Sequence, residues 1–304
     1  MSVPAPPRSS LVPFALLFII GLAWGFMYTL IKIGVTGEIT PIGYLFWFSF
    51  GCGAVLFAMC AVRRNWPRMS RVHLRYYFTT GAVRLAVANT IFYSAQKHLP
   101  IGVMAVIMTT TPMFTYALSL ASRLERFVWI RFAGILMGLA GVLLIVAPNS
   151  SLPDPSLVWW VLVGFGTPLL HGIGYIMLSE QMRPPDSDSM TLGVGMFGAA
   201  TIMLLPVLVA MGAFHPLWPP FSAAEIALIT HFILAGFNFY ALFELLRIAG
   251  PTFATQASYL AVIFGVVFGI VLFDETHSLW VWGAMALIAG GVAMVNWHQR
   301  RAVD

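Results

Sequence analysis

Ten stretches of about twenty predominantly apolar residues dominate the chain, at 13–35, 41–62, 75–97, 100–121, 127–147, 157–182, 189–213, 224–246, 251–273 and 278–298, with short polar turns between them. Roughly twenty residues at about 1.5 Å rise cross the roughly 30 Å of bilayer hydrocarbon, so each stretch is long enough to span a membrane as a helix. Apolar and polar residues do not alternate along them, which excludes the strands of a membrane barrel. Only 9% of the 304 residues are charged and 60% are hydrophobic, too little polar surface to cover a soluble domain. The spacing predicts an all-α membrane protein with ten transmembrane helices.

The formal net charge of +5 reports topology and not a nucleic-acid partner. With the amino terminus in the cytoplasm, Arg8, Arg63, Arg64, Arg68, Arg71, Arg75, Arg123, Arg126, Arg131, Arg183, Arg247, Arg300 and Arg301 all fall on inside segments or inner helix ends, 13 of the 16 Lys and Arg. Only Lys32, Arg84 and Lys97 remain. The positive-inside rule therefore places both termini in the cytoplasm, with anionic lipid as a neighbour of the basic turns. The first apolar stretch is too long for a signal-peptide core and reads as a retained helix. Cys52 and Cys60 share one helix, too far apart along it to bond to each other, and read as apolar filler.

The ten stretches divide into two fives. A slide of 150 residues brings Lys97 onto Arg247, Phe114 onto Phe264, Glu125 onto Glu275, and Gly141 and Val142 onto Gly291 and Val292; a slide of 147 brings Gly25 onto Gly172 and Tyr28 onto Tyr175. Five is odd, so the second half must enter the membrane upside down. The expected division is a cytoplasmic tail (1–12), a first repeat (13–147), an outer linker (148–156), an inverted second repeat (157–298) and a cytoplasmic tail (299–304). Inverted repeats serve alternating access, in which two similar halves exchange conformations around one midplane site.

The stretch "LLFIIGLAWGFMYTLIKIGV", the "LERF" turn before a glycine-rich fifth helix and the "FDETHS" turn before a glycine-rich tenth resemble the EamA-type transporters of the drug/metabolite transporter superfamily, over about residues 13–297. The resemblance implies a multi-pass secondary transporter of the bacterial inner membrane, often exporting amino acids, related metabolites or toxic organic compounds. It also implies a central cavity lined by helices 1, 3, 4, 6, 8 and 9, with helices 5 and 10 peripheral. His171 stands where the repeat alignment has Trp24, so the two half-sites differ chemically.

Arg84 is the residue that most needs a reason. A charge near the bilayer centre costs at least about 2.5 to 3.5 kcal/mol on insertion scales and should face a cavity or a partner. A guanidinium suits two-point binding of a carboxylate or phosphate; the alternative is a structural role, on helix carbonyls or an acid such as Glu244. Trp24, Tyr28 and Lys32 fall on one face of the first helix, and His171, Tyr175 and Ser179 on one face of the sixth. These two stripes read either as cavity walls that stack on a substrate or as helix packing. His231 and Asn238 share a face of the eighth helix, and Tyr259 lies on the ninth. Thr110, between two other threonines and just ahead of Pro112, marks a bend in the fourth helix where freed carbonyls and hydroxyls read as a hinge, as a polar binding wall or as simple packing.

Glu125 and Glu275 each precede a helix, where a carboxylate favours the positive dipole end, and are expected to gate or cap. No cofactor or metal is called for. Proton coupling, where present, falls to His171, His231 or Glu244.

A membrane-embedded enzyme, the more distant alternative, would need an acid/base pair or metal cluster, and the sequence contains no HExxH and no P-loop. What remains is an alternating-access transporter of a small amphipathic metabolite such as an amino acid or related carboxylate. Transport of organic cations or neutral drugs is the alternative on the same fold. A monomer suffices for either, and the oligomeric state is left open.

Overall fold

The computed structural model describes residues 11–121, 127–146, 154–178, 182–254 and 257–297. Glu125, most of the expected linker and most of both terminal tails lie outside the described residues. The described chain is helical, without a strand: α1 (Val12–Thr36), α2 (Pro41–Val62), α3 (Arg71–Thr80), a π-helical segment (Gly81–Val87), α4 (Ala88–His98), α5 (Ile101–Met108), α6 (Thr111–Ala121) and α7 (Trp129–Val146). A 3₁₀ turn (Pro155–Leu157) then leads into α8 (Val158–Gly164), α9 (Gly166–Met177), α10 (Ser189–Ala210), α11 (Ala223–Ala254), α12 (Ala257–Phe273) and α13 (Leu279–Trp297). Among the described residues, six stretches combine the length and apolarity to cross a bilayer: Val12–Thr36, Pro41–Val62, Ile101–Ala121, Val158–Met177, Ser189–Ala210 and Ala223–Leu242.

Local chemistry sets several ends. The Thr40 hydroxyl accepts from the Gly43 amide at 3.1 Å ahead of Pro41, joining a polar cap to a proline at a position that needs no amide hydrogen. Asp188 accepts from the Met190 and Thr191 amides at 2.6 and 3.0 Å and starts α10. At one boundary the structure departs from expectation. Helix α11 does not stop near residue 246 but continues through Gly250 and Pro251 to Ala254, since a helix within a membrane bundle tolerates a proline when neighbours satisfy the freed backbone groups.

The packing obeys an exchange of the two halves. Helix α1 packs on α11 and α12, and its repeat partner α9 packs on α4 and α6. The contacts match residue by residue: a methyl on Gly25 would stand 2.9 Å from the Gly265 nitrogen, and one on Gly172 would stand 3.1 Å from the Thr115 nitrogen. Likewise Gly141 abuts the Ala284 carbonyl, while Gly291 abuts that of Gly134. Helices at equivalent positions run antiparallel. α2 meets α10 at Gly53/Phe197 and Leu56/Gly193, α5 meets α12 at Ala105/Gly265 and Ile101/Gly269, and α7 meets α13 at Gly141/Ala284 and Gly138/Gly291.

Small residues sit at these crossings because lipid tails solvate apolar side chains as well as a neighbouring helix does, leaving close packing to hold helices together. Leucines 136, 139 and 143 of α7, with Phe14, Phe18, Ile202, Val209, Ile263 and Val271, are exposed. Such a surface suits lipid and would be a liability in water. Inside, Tyr44, Phe48, Tyr93 and His231 form an aromatic knot between α2, α4 and α11, with Phe48 and His231 stacked at 4.3 Å.

Candidate functional site

Arg84 sits in the π-helical segment, where i→i+5 bonding adds a residue to the turn, a distortion that recurs at functional sites. Its guanidinium lies over the Tyr175 ring of α9, 4.4 Å from the centroid, a cation–π arrangement that covers one face of the group and leaves its edge free. One edge nitrogen, Nη1, is buried without a hydrogen-bond partner among the described residues. Gly174 makes this approach possible, because a methyl there would stand 3.0 Å from the Arg84 Cβ and 3.2 Å from its Cγ and Cδ.

Two further sequence-predicted residues join this group. His171 lies on α9 one turn before Tyr175, on the same face of that helix. Tyr28, on α1, is close enough to Tyr175 for the phenols to interact electrostatically, and its ring packs 5.9 Å from that of Phe92. Tyr175 keeps 47% of its surface exposed, so the cluster borders open space. Tyr76, two turns before Arg84, donates to the Met177 carbonyl at 3.2 Å and ties α3 to the end of α9. Gly174 and the π segment are not among the residues that the sequence singles out. The "HGIGY" run was the available signal for Gly174, as two glycines beside an aromatic stripe invite another chain to come close.

The other candidates lie elsewhere. Trp24 packs between the main core and a smaller cluster of Ile20, Leu245 and Ala257. The Thr110 hydroxyl donates to the Ile107 carbonyl at 2.7 Å, and its neighbours Thr109 and Thr111 make the same backward bond to Val106 and Met108. All three serve the ending of α5. Pro112 and Tyr259 belong to α6 and α12, but their side chains lie outside what is described. His231 is buried in the aromatic knot, its Nδ1 hydrogen-bonded to the Tyr44 hydroxyl at 3.1 Å. Asn238 is buried on the same helix, with its side-chain oxygen lacking a partner among the described residues. Glu244 is half-buried on α11 and engaged with a neighbour. Cys52 and Cys60 are buried and free.

Glu275 caps a helix, but a different one from the helix that follows it. Its carboxylate accepts from the Ile101 and Gly102 amides at 2.6 and 3.1 Å, the N-terminus of α5 and not of α13. Tertiary packing, invisible in the local order of residues, brings that terminus to it. Beside it, burial holds the His277 imidazole below the ordinary histidine range, an effect that the Glu275 carboxylate partly offsets.

Comparison with known proteins decides the family. The EamA-like transporter family matches residues 12–147 and again 158–297. The chain belongs to the EamA-like transporter family. The two matched segments coincide with the two halves related by the packing exchange. Among the curated relatives of this EamA-family protein is the "Uncharacterized inner membrane transporter YedA" of Escherichia coli, 26% identical, with 95% of this chain and 92% of the relative aligned. The "Uncharacterized transporter YoaV" of Bacillus subtilis is 23% identical over 90% of this chain and 92% of its own. A crystal structure of a protein 21% identical in sequence superposes with a TM-score of 0.62, covering 97% of this chain and all of that one, which supports the fold alone. This EamA-family chain is a multi-pass membrane transporter of the cell membrane, and family and relatives alike are described as transporters and not as enzymes.

Proposed function

We propose that the protein is an alternating-access secondary transporter that exports a small amphipathic carboxylate, such as an amino acid or related metabolite, with Arg84 holding the anionic end. Ten membrane spans with both termini cytoplasmic, in two inverted five-helix repeats, fit the antiparallel course of repeat-equivalent helices and the inside placement of arginine. The observation that carries the substrate class is the buried, unpartnered Nη1 of Arg84, presented edge-on while Tyr175 occupies the ring face of the group. A buried guanidinium N–H without an acceptor is costly, and a carboxylate supplies that acceptor with a charge-assisted bond. Tyr28, Tyr175 and His171 flank the remainder of the ligand, and no cofactor enters this scheme.

The test is a thermal-shift screen of purified wild type and Arg84→Leu against amino acids, organic acids, nucleosides and quaternary cations. A ligand at about 100 times its dissociation constant adds roughly 2.7 kcal/mol to the folded state. Carboxylates should stabilise wild type and leave the folded variant unmoved. Equal stabilisation of both proteins by cations would assign Arg84 a structural role and turn the substrate class to organic cations.

A further inference from the structure

The turn between α4 and α5, at Leu99 and Pro100, is gripped from two sides. On one side Lys32 of α1 donates from Nζ to the carbonyls of Gln96, Lys97 and Leu99 at 3.0, 3.4 and 2.7 Å, placing a cation on the negative, C-terminal end of α4. On the other, the Glu275 carboxylate takes the first two amides of α5, placing an anion on its positive end. Lys32 and Glu275 sit at the far ends of α1 and α12, which pack together along their lengths. The α1/α12 pair therefore holds the tip of the α4–α5 hairpin by both helix dipoles. Glu275 comes from the second repeat and α5 from the first.

The surroundings are shaped for this grip. A methyl on Gly269 would stand 2.5 Å from the Glu275 Oε2, and one on Gly102 would stand 2.5 Å from the His277 Nε2. Both positions lack a side chain where the carboxylate and the imidazole need room. The chain leaves α12 through Asp274 at φ 51°, and the Glu275 amide turns back to the Gly269 carbonyl at 3.2 Å, which aims the carboxylate at α5. His277 Nε2 lies 3.6 Å from Oε2 and has no hydrogen-bond partner among the described residues.

At the opposite end of the molecule the repeats are also joined. Arg68 pairs with Asp186 at 3.1 Å, Asn65 bonds to Asp188, and His73 and Ser187 are hydrogen-bonded at 3.1 Å, around a cleft of about 580 Å³. Beneath it Tyr76, Tyr77, Leu192 and Ala199 close an apolar cluster between α3 and α10.

We propose that Glu275 is the lock of the outer gate: its bonds to the first turn of α5 join the two repeats on the outer side, and the gate opens when they break. The lock rests on the alternating-access reading and adds the element that holds one side shut. A mere helix cap would stabilise the protein without favouring one side over the other, whereas a lock shifts accessibility from one side to the other.

The experiment uses two buried reporters in the full-length protein, Ile101→Cys at the lock and Leu192→Cys in the opposite cluster, labelled with a membrane-impermeant maleimide in intact cells and in inverted vesicles. The buried native Cys52 and Cys60 supply the background. Glu275→Gln, which keeps the shape and removes the charge, should raise the labelling rate at Ile101→Cys about ten-fold and lower it at Leu192→Cys several-fold. Gly269→Ala, which crowds the carboxylate out without touching its charge, should do the same and guards against a folding defect peculiar to the first variant. Acceleration at both reporters together, or at neither, overturns the lock. Labelling of Ile101→Cys from the cytoplasmic side would likewise overturn the assignment of Glu275 to the outer gate.

Discussion

Arg84 acts through the residues that let it lie where it does. Its stem crosses Gly174 at van der Waals limits, and its guanidinium ends on Tyr175. Lysine in its place would keep the charge but lose the planar fork and the stacked face. At Gly174 even one methyl matters. Gly174→Ala should push the arginine by a few tenths of an ångström, cost about 1 to 3 kcal/mol in overpacking and weaken carboxylate binding about ten-fold, or roughly 1.4 kcal/mol. Ligand titrations followed by thermal shift measure both effects, and an unchanged dissociation constant would show that the stem has slack. The motive for Arg84 was legible in the sequence, as a charge nine residues past Arg75 and thirteen before Lys97 demands an explanation. Its ring partner was legible only as a member of a separate stripe on another helix.

Among the elements, the π-helical segment sets the phase of the site. Below it, Tyr76 fixes α3 against α9; above it, Lys32 and the Tyr28/Phe92 contact fix α4 against α1. With both ends anchored, the extra residue between them decides which way Arg84 points. Deleting Val83 should return the segment to α-helical register with both anchored ends in place and swing Arg84 away from Tyr175. Helix content by circular dichroism should hold while carboxylate-induced stabilisation disappears; a retained response would mean the anchors yield more easily than the backbone. Nothing in "GAVRLAV" announces a π segment, because it follows from two anchored ends that are a residue out of step. The break between α5 and α6 was legible, since threonines ahead of a proline compete for backbone carbonyls.

For the molecule as a whole, pseudo-symmetry makes a quantitative claim. Gly141 and Gly291 occupy exchanged positions at the α7–α13 crossing, each against the backbone of the other helix. Gly141→Val and Gly291→Val should therefore destabilise by similar amounts, about 1 to 3 kcal/mol each. Gly198 of α10 has open space where a side chain would go, and Gly198→Ala should be neutral or gain up to about 1 kcal/mol from helix propensity. Unfolding in detergent, read by tryptophan fluorescence, compares the three. A large inequality between the first two would mean that the halves bear load differently despite their shared geometry.

The sequence by itself determined the class of molecule, the division into two halves and the residues that needed a reason. Apolar length, arginine placement and offsets of 147 and 150 are properties of the chain in order, and the bilayer reads them in order. Only the tertiary structure decided which helix each polar side chain serves. Glu275 was legible as a helix cap, yet it caps α5, some 170 positions away in the chain. His231 was legible as a buried titratable group, yet aromatic packing holds it in the core. In a bilayer the hydrophobic effect draws the chain into the membrane but distinguishes poorly between one helix neighbour and another, so partners are chosen by close fit at small residues and by hydrogen bonds across helices. Those are relations between distant positions, and they exist only once the helices have packed.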